Sequence, residues 1–240
     1  MSTLLIDAGN SRAKWAELKH GHWTSQGVSD YDGLATALAG LSAPHRVVIS
    51  NVAGTAVTQS LRQISAGWGI SPEFIRTPAR QCGVSNGYQE PERLGSDRWA
   101  ALVAAWHIEQ RACLVVNCGT ATTVDALSEG GEFLGGLILP GIALMQHSLL
   151  TGTAQLRAGN GAVSDFPRST ADAIFSGAIA ATVGAILHQY ALLAHPDAPC
   201  LLSGGAADMI ESCLAELPLA HLDNLVLHGL QLIAEESEAR

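Results

Sequence analysis

TLLIDAGNSRAKWAEL, Thr3 to Leu18, is the stretch whose reading decides the fold. Leu4-Leu5-Ile6 is a short apolar run that predicts a buried strand. Asp7-Ala8-Gly9-Asn10-Ser11 has turn chemistry, with Gly9 and Asn10 tolerant of positive φ. Ala13 to Leu18 predicts a second strand. A carboxylate at the end of a buried strand, then a small-residue turn and a Lys, suits a triphosphate. The turn brings backbone N–H groups close to phosphate oxygens with no large side chain in the way. Ser11 adds a hydroxyl donor, Lys14 adds positive charge, and Asp7 can hold Mg²⁺ directly or through water. An ordinary hairpin with a polar turn has the same composition, so this stretch alone leaves both readings open.

A second copy favours the first. LVVNCGTATTVDAL, Leu114 to Leu127, repeats the layout, so that Asp7-Ala8-Gly9-Asn10-Ser11 corresponds to Asn117-Cys118-Gly119-Thr120-Ala121. Two strand–glycine turn–strand units predict a duplicated domain with a nucleotide held between the halves. The pattern resembles the acetate and sugar kinase, heat-shock chaperone and actin superfamily. The fold it implies is α/β: two duplicated domains of the actin-like ATPase (ribonuclease H-like) type, residues 1–111 and 112–240, with the active site in the cleft between them.

Composition sets bounds on this reading. The chain has 240 residues, 48% of them hydrophobic and 15% charged, which is a globular balance with room for two cores. A net charge of −9 disfavours nonspecific binding to nucleic acid or to a membrane surface. The five cysteines are scattered and without CxxC spacing, which predicts reduced thiols and a cytoplasmic protein. No signal peptide is evident, and no uninterrupted apolar run reaches the length of a membrane span.

Strands and helices alternate through the first half. Strands are expected at 22–25, 46–51 and 73–76, and helices at 33–41, 55–66 and 97–111. Ser96 is a candidate cap for the last of these, whose apolar face is Ala100, Ala101, Val103, Ala104 and Ile108. Residues 77–94 read as a long loop of the functional kind. In the second half, strands are expected at 114, 132–139 and 200–203. Helices are expected at 142–150, 169–193, 206–217 and 224–235, with a loop at 151–168. Dinucleotide, Walker and zinc-protease motifs are all missing from the sequence.

The remaining cluster is Tyr88 with Gly95-Ser96-Asp97-Arg98. An Asp at a helix start can accept the proton of an attacking alcohol, while an Arg grips a carboxylate or phosphate through two parallel bonds. A dipole-stabilised surface pair explains the same residues equally simply.

Taken together, the chain resembles type III pantothenate kinases over nearly its whole length. The matching pieces are DAGNSRAKW at Asp7, GSDRW at Gly95, NCGTATTVD at Asn117 and GGLILPG at Gly135. They continue with TGTAQL at Thr151, STADAIFSG at Ser169, SGG at Ser203 and LVLHGL at Leu225. The resemblance implies ATP-dependent phosphorylation of the primary hydroxyl of pantothenate, the first step towards coenzyme A. It implies that Asp7, Ala8, Gly9, Asn10, Ser11, Arg12, Ala13 and Lys14 bind the ATP phosphates, with Asp7 near Mg²⁺, and that Thr120 binds nucleotide. Asp97 matches the proton acceptor. Tyr88, Gly95, Ser96, Asp97 and Arg98 match the pantothenate positions, Arg98 facing the carboxylate. Thr170 matches a further pantothenate contact near a homodimer interface, and Ser203 to Gly205 would lie near the nucleoside. The family commonly has Asp at Asn117, where it binds potassium or ammonium, so an amide there puts the monovalent cation in doubt. The rival readings are another small-molecule kinase or phosphohydrolase of the superfamily, and a regulatory accessory protein.

Overall fold

The computed structural model describes residues 2–152 and 161–239. In chain order the first half contains β1 (Ser2–Ala8), β2 (Ala13–Lys19), β3 (His22–Ser29), α1 (Leu34–Leu38), β4 (Arg46–Asn51), α2 (Thr55–Ala66), β5 (Glu73–Phe74), β6 (Arg80–Gln81), β7 (Val84–Asn86), a 3₁₀ turn (Pro91–Arg93) and α3 (Ser96–Glu109). The second half contains β8 (Cys113–Cys118), β9 (Ala121–Leu127), β10 (Glu132–Pro140), α4 (Ile142–Gly152), α5 (Thr170–Leu193), β11 (Cys200–Ser203), α6 (Asp208–Glu211), a 3₁₀ turn (Ser212–Leu214), β12 (Leu219–His221) and α7 (Leu225–Glu238). Part of TGTAQL, and part of the loop expected over 151–168, lie outside the described residues; Thr151 and Gly152 end α4.

Two compact units result: Met1–Gln110 with Gly131–Phe133 and Asn224–Arg240, and Arg111–Gly130 with Leu134–Asp223. The sheet of the first runs β3-β2-β1-β4-β5, β1 being antiparallel to β2 and parallel to β4. The central strand β1 is buried along its length except at Asp7, as expected of a strand covered on both faces. The edge strand β3 alternates exposed and half-buried residues. One face packs Leu4, Ile6, Ala8 and Trp15 against Leu34, Leu38 and Leu61 of α1 and α2. Helix α7 returns to this unit from the end of the chain and packs on α3, β1, β2 and β4.

The second unit repeats the topology. Its strands run β10-β9-β8-β11-β12, with β8 antiparallel to β9 and parallel to β11, and β11 parallel to β12. Leu114, Val116, Cys118 and Val124 pack against Ile142, Ala178, Ile179, Ile186 and Ile210. The first residues of β10, Glu132 and Phe133, pair instead with Ser85 and Asn86 of β7 and belong to the first unit.

Several local expectations need correction. Residues 77–94 are not one loop: β6, β7 and the 3₁₀ turn lie in them, held by Asn86 and Thr77, which both donate to the Pro91 carbonyl. The amphipathic reading of α3 fails, because Arg98 to Ala105 are all buried while Ile108 is half exposed. Small Ala side chains let α3 be covered on more than one side, which hides the helical period. Ser96 does not cap α3; Gly95 is the capping residue and the Ser96 hydroxyl is bonded elsewhere. The helix expected over 206–217 breaks into α6 and a 3₁₀ turn, since Ser212 and Cys213 are poor helix formers and Leu214 turns inward to burial. Helix α5 is long and apolar enough to cross a membrane by length and composition alone, though Asp172 and His188 interrupt its apolar run. One of its faces, Ala178, Ile179, Thr182, Ile186 and Leu193, is buried in the protein.

The packing of α7 on α3 is tight enough to test. A Cβ on Gly229 would lie 1.8 Å from the Ala100 carbonyl oxygen, whereas one on Gly184 of α5 meets nothing within 4 Å. Gly229→Ala should therefore destabilise the protein by about 1–3 kcal/mol through overpacking. Gly184→Ala should stabilise it by about 0.4–1 kcal/mol through the unfolded state. Chemical denaturation of the two variants checks the contrast; equal effects would contradict it.

Candidate active site

The turn after β1 is open where a ligand would need it open. Asn10, Ser11 and Arg12 are exposed, Gly9 is half exposed, and Ala8 and Ala13 anchor the two strands in the core. Among the described residues neither Gly9 nor Asn10 has positive φ, so backbone freedom is not what glycine supplies here. A Cβ on Gly9 would meet only the Arg12 carbonyl oxygen, at 3.5 Å, an ordinary contact. The fold therefore does not require glycine at this position, but it leaves the backbone bare for close approach by an anion. The equivalent Gly119 behaves identically, its nearest neighbour being the Ala121 carbonyl oxygen at 3.5 Å.

Asp7 and Lys14 are cross-strand partners at the mouth of this turn. Burial pushes the Asp7 carboxyl up to about 7, the Asp97 carboxylate adds to the rise, and Lys14 partly offsets it. On its other side Asp7 pairs with Ser50 of β4, whose fully buried hydroxyl lies 2.9 Å from that of Ser96. The start of α3 is thus tied to the strand beside Asp7.

At that start, the Asp97 carboxylate accepts the backbone N–H of Arg98 at 2.8 Å. Burial raises the Asp97 pKa, and the Arg98 backbone N–H and charge hold it down in part. A Cβ on Gly95 would lie 2.7 Å from the Asp97 carboxylate, so a larger residue would displace that group. Arg98 is only 5% exposed. Its guanidinium donates to the Tyr88 hydroxyl at 2.8 Å and lies 5.6 Å from the Tyr88 ring centre and 5.5 Å from that of Phe133. The two rings also contact each other, with centres 5.3 Å apart, and a cation held beside both is restricted in orientation. The surface-pair reading of Asp97 and Arg98 does not fit this burial.

In the second unit, Asn117 occupies the place of Asp7, with Thr123 and Ser203 as its cross-strand partners on β9 and β11. Thr120 is exposed in the turn, and its carbonyl accepts the Gly141 N–H at 2.9 Å. Gly204 has φ +100°, and a Cβ there would lie 2.4 Å from the Cys118 carbonyl oxygen. The SGG turn is therefore seated directly on the end of β8. Thr170 is exposed at the first residue of α5, where Ser169 is the cap, accepting the Asp172 N–H at 3.1 Å. Among the described residues Thr170 joins neither group by a hydrogen bond. The structure thus gathers Asp7, Lys14, Tyr88, Ser96, Asp97 and Arg98 in one unit, and Asn117, Thr120 and Ser203 in the other. Asp208, Glu211 and His221 form a separate, exposed cluster.

Sequence reasoning missed Ser50, Phe133 and Tyr31. Ser50 was visible only as the polar residue of an apolar strand. Phe133 reaches the site through β10, with no local signal. Tyr31 lies in the turn after β3, and its hydroxyl donates to the Gly9 carbonyl.

Comparison with known proteins gives a concordant picture. A family model described as Type III pantothenate kinase matches residues 3–191. A protein of Nitrosospira multiformis with that name is 48% identical, the match covering 98% of this chain and 91% of that protein. One of Aromatoleum aromaticum, of the same name, is 46% identical over 98% and 99%. Among solved structures, a Campylobacter jejuni protein described as a Baf family transcriptional activator superposes with a TM-score of 0.66 at 22% identity, covering 99% of this chain and 100% of that one. MreB5 of Spiroplasma citri bound to ADP superposes with a TM-score of 0.54 at 9% identity, covering 99% and 97%. Likeness at such identities speaks for the fold, and the fold is the actin-like one.

The buried carboxyl of Asp7 has a consequence for stability. Its folded value of about 7 stands above the ordinary 3.8, so the folded state holds the proton more tightly. The stability this contributes is full below the unfolded value and is lost as pH rises through about 7. Asp7→Asn should therefore melt progressively higher than the parent as pH is raised from 5 to 8, in ligand-free protein. Paired thermal melts across that range check this; a difference that does not change with pH would show that burial does not raise Asp7.

Proposed function

The chain belongs to the type III pantothenate kinase family, and from that premise we propose a role for each residue of the site. The reaction transfers the γ-phosphoryl group of ATP to the primary hydroxyl of pantothenate, the first step towards coenzyme A. Asp97 takes the proton of that hydroxyl as the oxygen attacks phosphorus. Its raised pKa, set by burial, makes it a better base near neutrality than an exposed aspartate. Arg98 receives the pantothenate carboxylate, with Tyr88 and Phe133 fixing its plane and Gly95 and Ser96 shaping the same corner. The single observation that carries this reading is the buried Arg98 beside a half-buried Asp97, with Asp97 close enough to Asp7 to raise its pKa.

Residues 7–14 cradle the ATP phosphates through bare backbone, the Ser11 hydroxyl and the Lys14 charge. Thr120 serves the nucleotide in the second unit, Ser203 to Gly205 lie near the nucleoside, and Thr170 is a further pantothenate contact. Asp7 fits a divalent cation: it is a carboxylate at the edge of an open, polar turn, and its elevated pKa reports a place where negative charge lacks a full partner. It would hold Mg²⁺ through water, with Lys14 across the turn. Mg²⁺, when bound, neutralises phosphate charge and helps align the triphosphate. Asn117 offers an amide oxygen where the family resemblance leads to the expectation of a carboxylate, so it fits a monovalent cation poorly.

The protein works as a cytoplasmic homodimer in this reading. Leu144 and Leu149 of α4 and Leu187 of α5 are each more than two-fifths exposed, on helices that pack together in the second unit. A second copy covering this face would remove those apolar groups from water.

Three experiments test these roles. Asp97→Asn should fold normally and lose about 10²–10⁴-fold in turnover, or less if the transition state is loose. Arg98→Lys should raise the KM for pantothenate far more than that for ATP, because an ammonium cannot form two parallel bonds. Near-full turnover of the first variant, or equal changes in both KM values for the second, would overturn the assignment. For the cation, activity is measured with a bulky organic cation as the only monovalent ion, and potassium or ammonium is then titrated in. Little response is expected with Asn117 in place; steep, saturable activation would contradict it.

A further inference from the structure

A phosphate cradle works only if the N–H groups of its turn are already aimed. In the turn that carries Gly9, the exposed residues Asn10, Ser11 and Arg12 cannot be held by packing. What reaches into it from the core is Tyr31. This residue follows β3, in a turn closed by the Asp30 carboxylate, which accepts the Gly33 N–H at 2.7 Å. The Tyr31 ring packs against the cluster of Leu34, Leu38 and Leu61. Its hydroxyl passes beyond that cluster and donates to the Gly9 carbonyl.

We propose that Tyr31 is a positioning residue for ATP: anchored by its ring in the first core, it holds the Gly9 peptide so that the turn presents its N–H groups to phosphate. The proposal rests on the phosphate-binding reading of residues 7–14 and adds a residue to it. Fixing the Gly9 carbonyl fixes the plane of the Gly9–Asn10 peptide, and with it the direction of the Asn10 N–H. The bond also keeps that carbonyl from facing the incoming phosphate, which would repel it. Tyr31 also lines a cavity of about 480 Å³ beside α1 and α2, together with Ala35, Ile64 and Trp68. The hydroxyl bond adds a directional restraint to that packing. Burial and the nearby Asp7 carboxylate push the Tyr31 hydroxyl up to about 12, so it remains a donor throughout the range in which an enzyme of this kind is assayed.

The test compares steady-state kinetics of the full-length parent with Tyr31→Phe, Ile64→Val and Lys14→Ala. Tyr31→Phe keeps the ring and removes only the donor. It should raise the KM for ATP about three- to tenfold, the size of one lost hydrogen bond. The KM for pantothenate should stay within about twofold, and the melting temperature within about 2 °C, as suits a part-buried bond lost without a cavity. Ile64→Val thins the same core without touching the turn and should leave both KM values unchanged. An unchanged KM for ATP in Tyr31→Phe, or the same rise in Ile64→Val, would overturn the proposal. Lys14→Ala separates the two levels. If it weakens ATP binding while Tyr31→Phe does not, the positioning role alone fails. If neither variant changes the KM for ATP, the phosphate-binding reading of the turn fails with it.

Discussion

The structure depends on keeping two carboxylates, Asp7 and Asp97, close together and largely out of water. Neither would be tolerated there by a chain folding for stability alone, since desolvating like charges is costly. The surroundings explain how they are held. Asp7 ends a strand whose other residues are buried in the middle of a sheet, so its position follows from the core. Asp97 begins a helix covered on more than one side, and its carboxylate accepts a backbone N–H at that end. The Ser50–Ser96 contact joins the two elements next to both groups. Lys14 and Arg98 supply positive charge nearby without removing the burial that sets the pKa values.

The duplication gives the same frame twice and fills it differently. In each unit a central strand runs antiparallel to the next strand and parallel to a later one. In each, the polar residue before the turn faces a Ser on the parallel neighbour: Asp7 with Ser50, Asn117 with Ser203. The first copy carries charge and the second carries amides and hydroxyls.

Much of this was legible in the sequence, for physical reasons that differ by element. The paired glycine turns could be read because a bare backbone needs glycine and a ligand-facing turn needs polar neighbours, whatever the rest of the fold does. The strands β1, β4 and β8 could be read because central strands are continuous apolar runs. Helix α3 misled, because alanine-rich helices buried on several sides have no marked polar face. The return of α7 to the first unit was not legible, since periodicity shows that a helix has an apolar face but not which sheet it meets. Tyr31, Ser50 and Phe133 were invisible for a related reason. Each reaches the site from an element distant in sequence, and each is a residue type common in ordinary cores and turns.

The most direct test of the central claim is ATP turnover by the parent protein with and without pantothenate, following ADP and phosphorylated pantothenate together. The account expects ADP release only when pantothenate is present, with the two products formed in equal amounts. ADP release at the same rate without pantothenate would contradict it and would assign the paired carboxylates to hydrolysis.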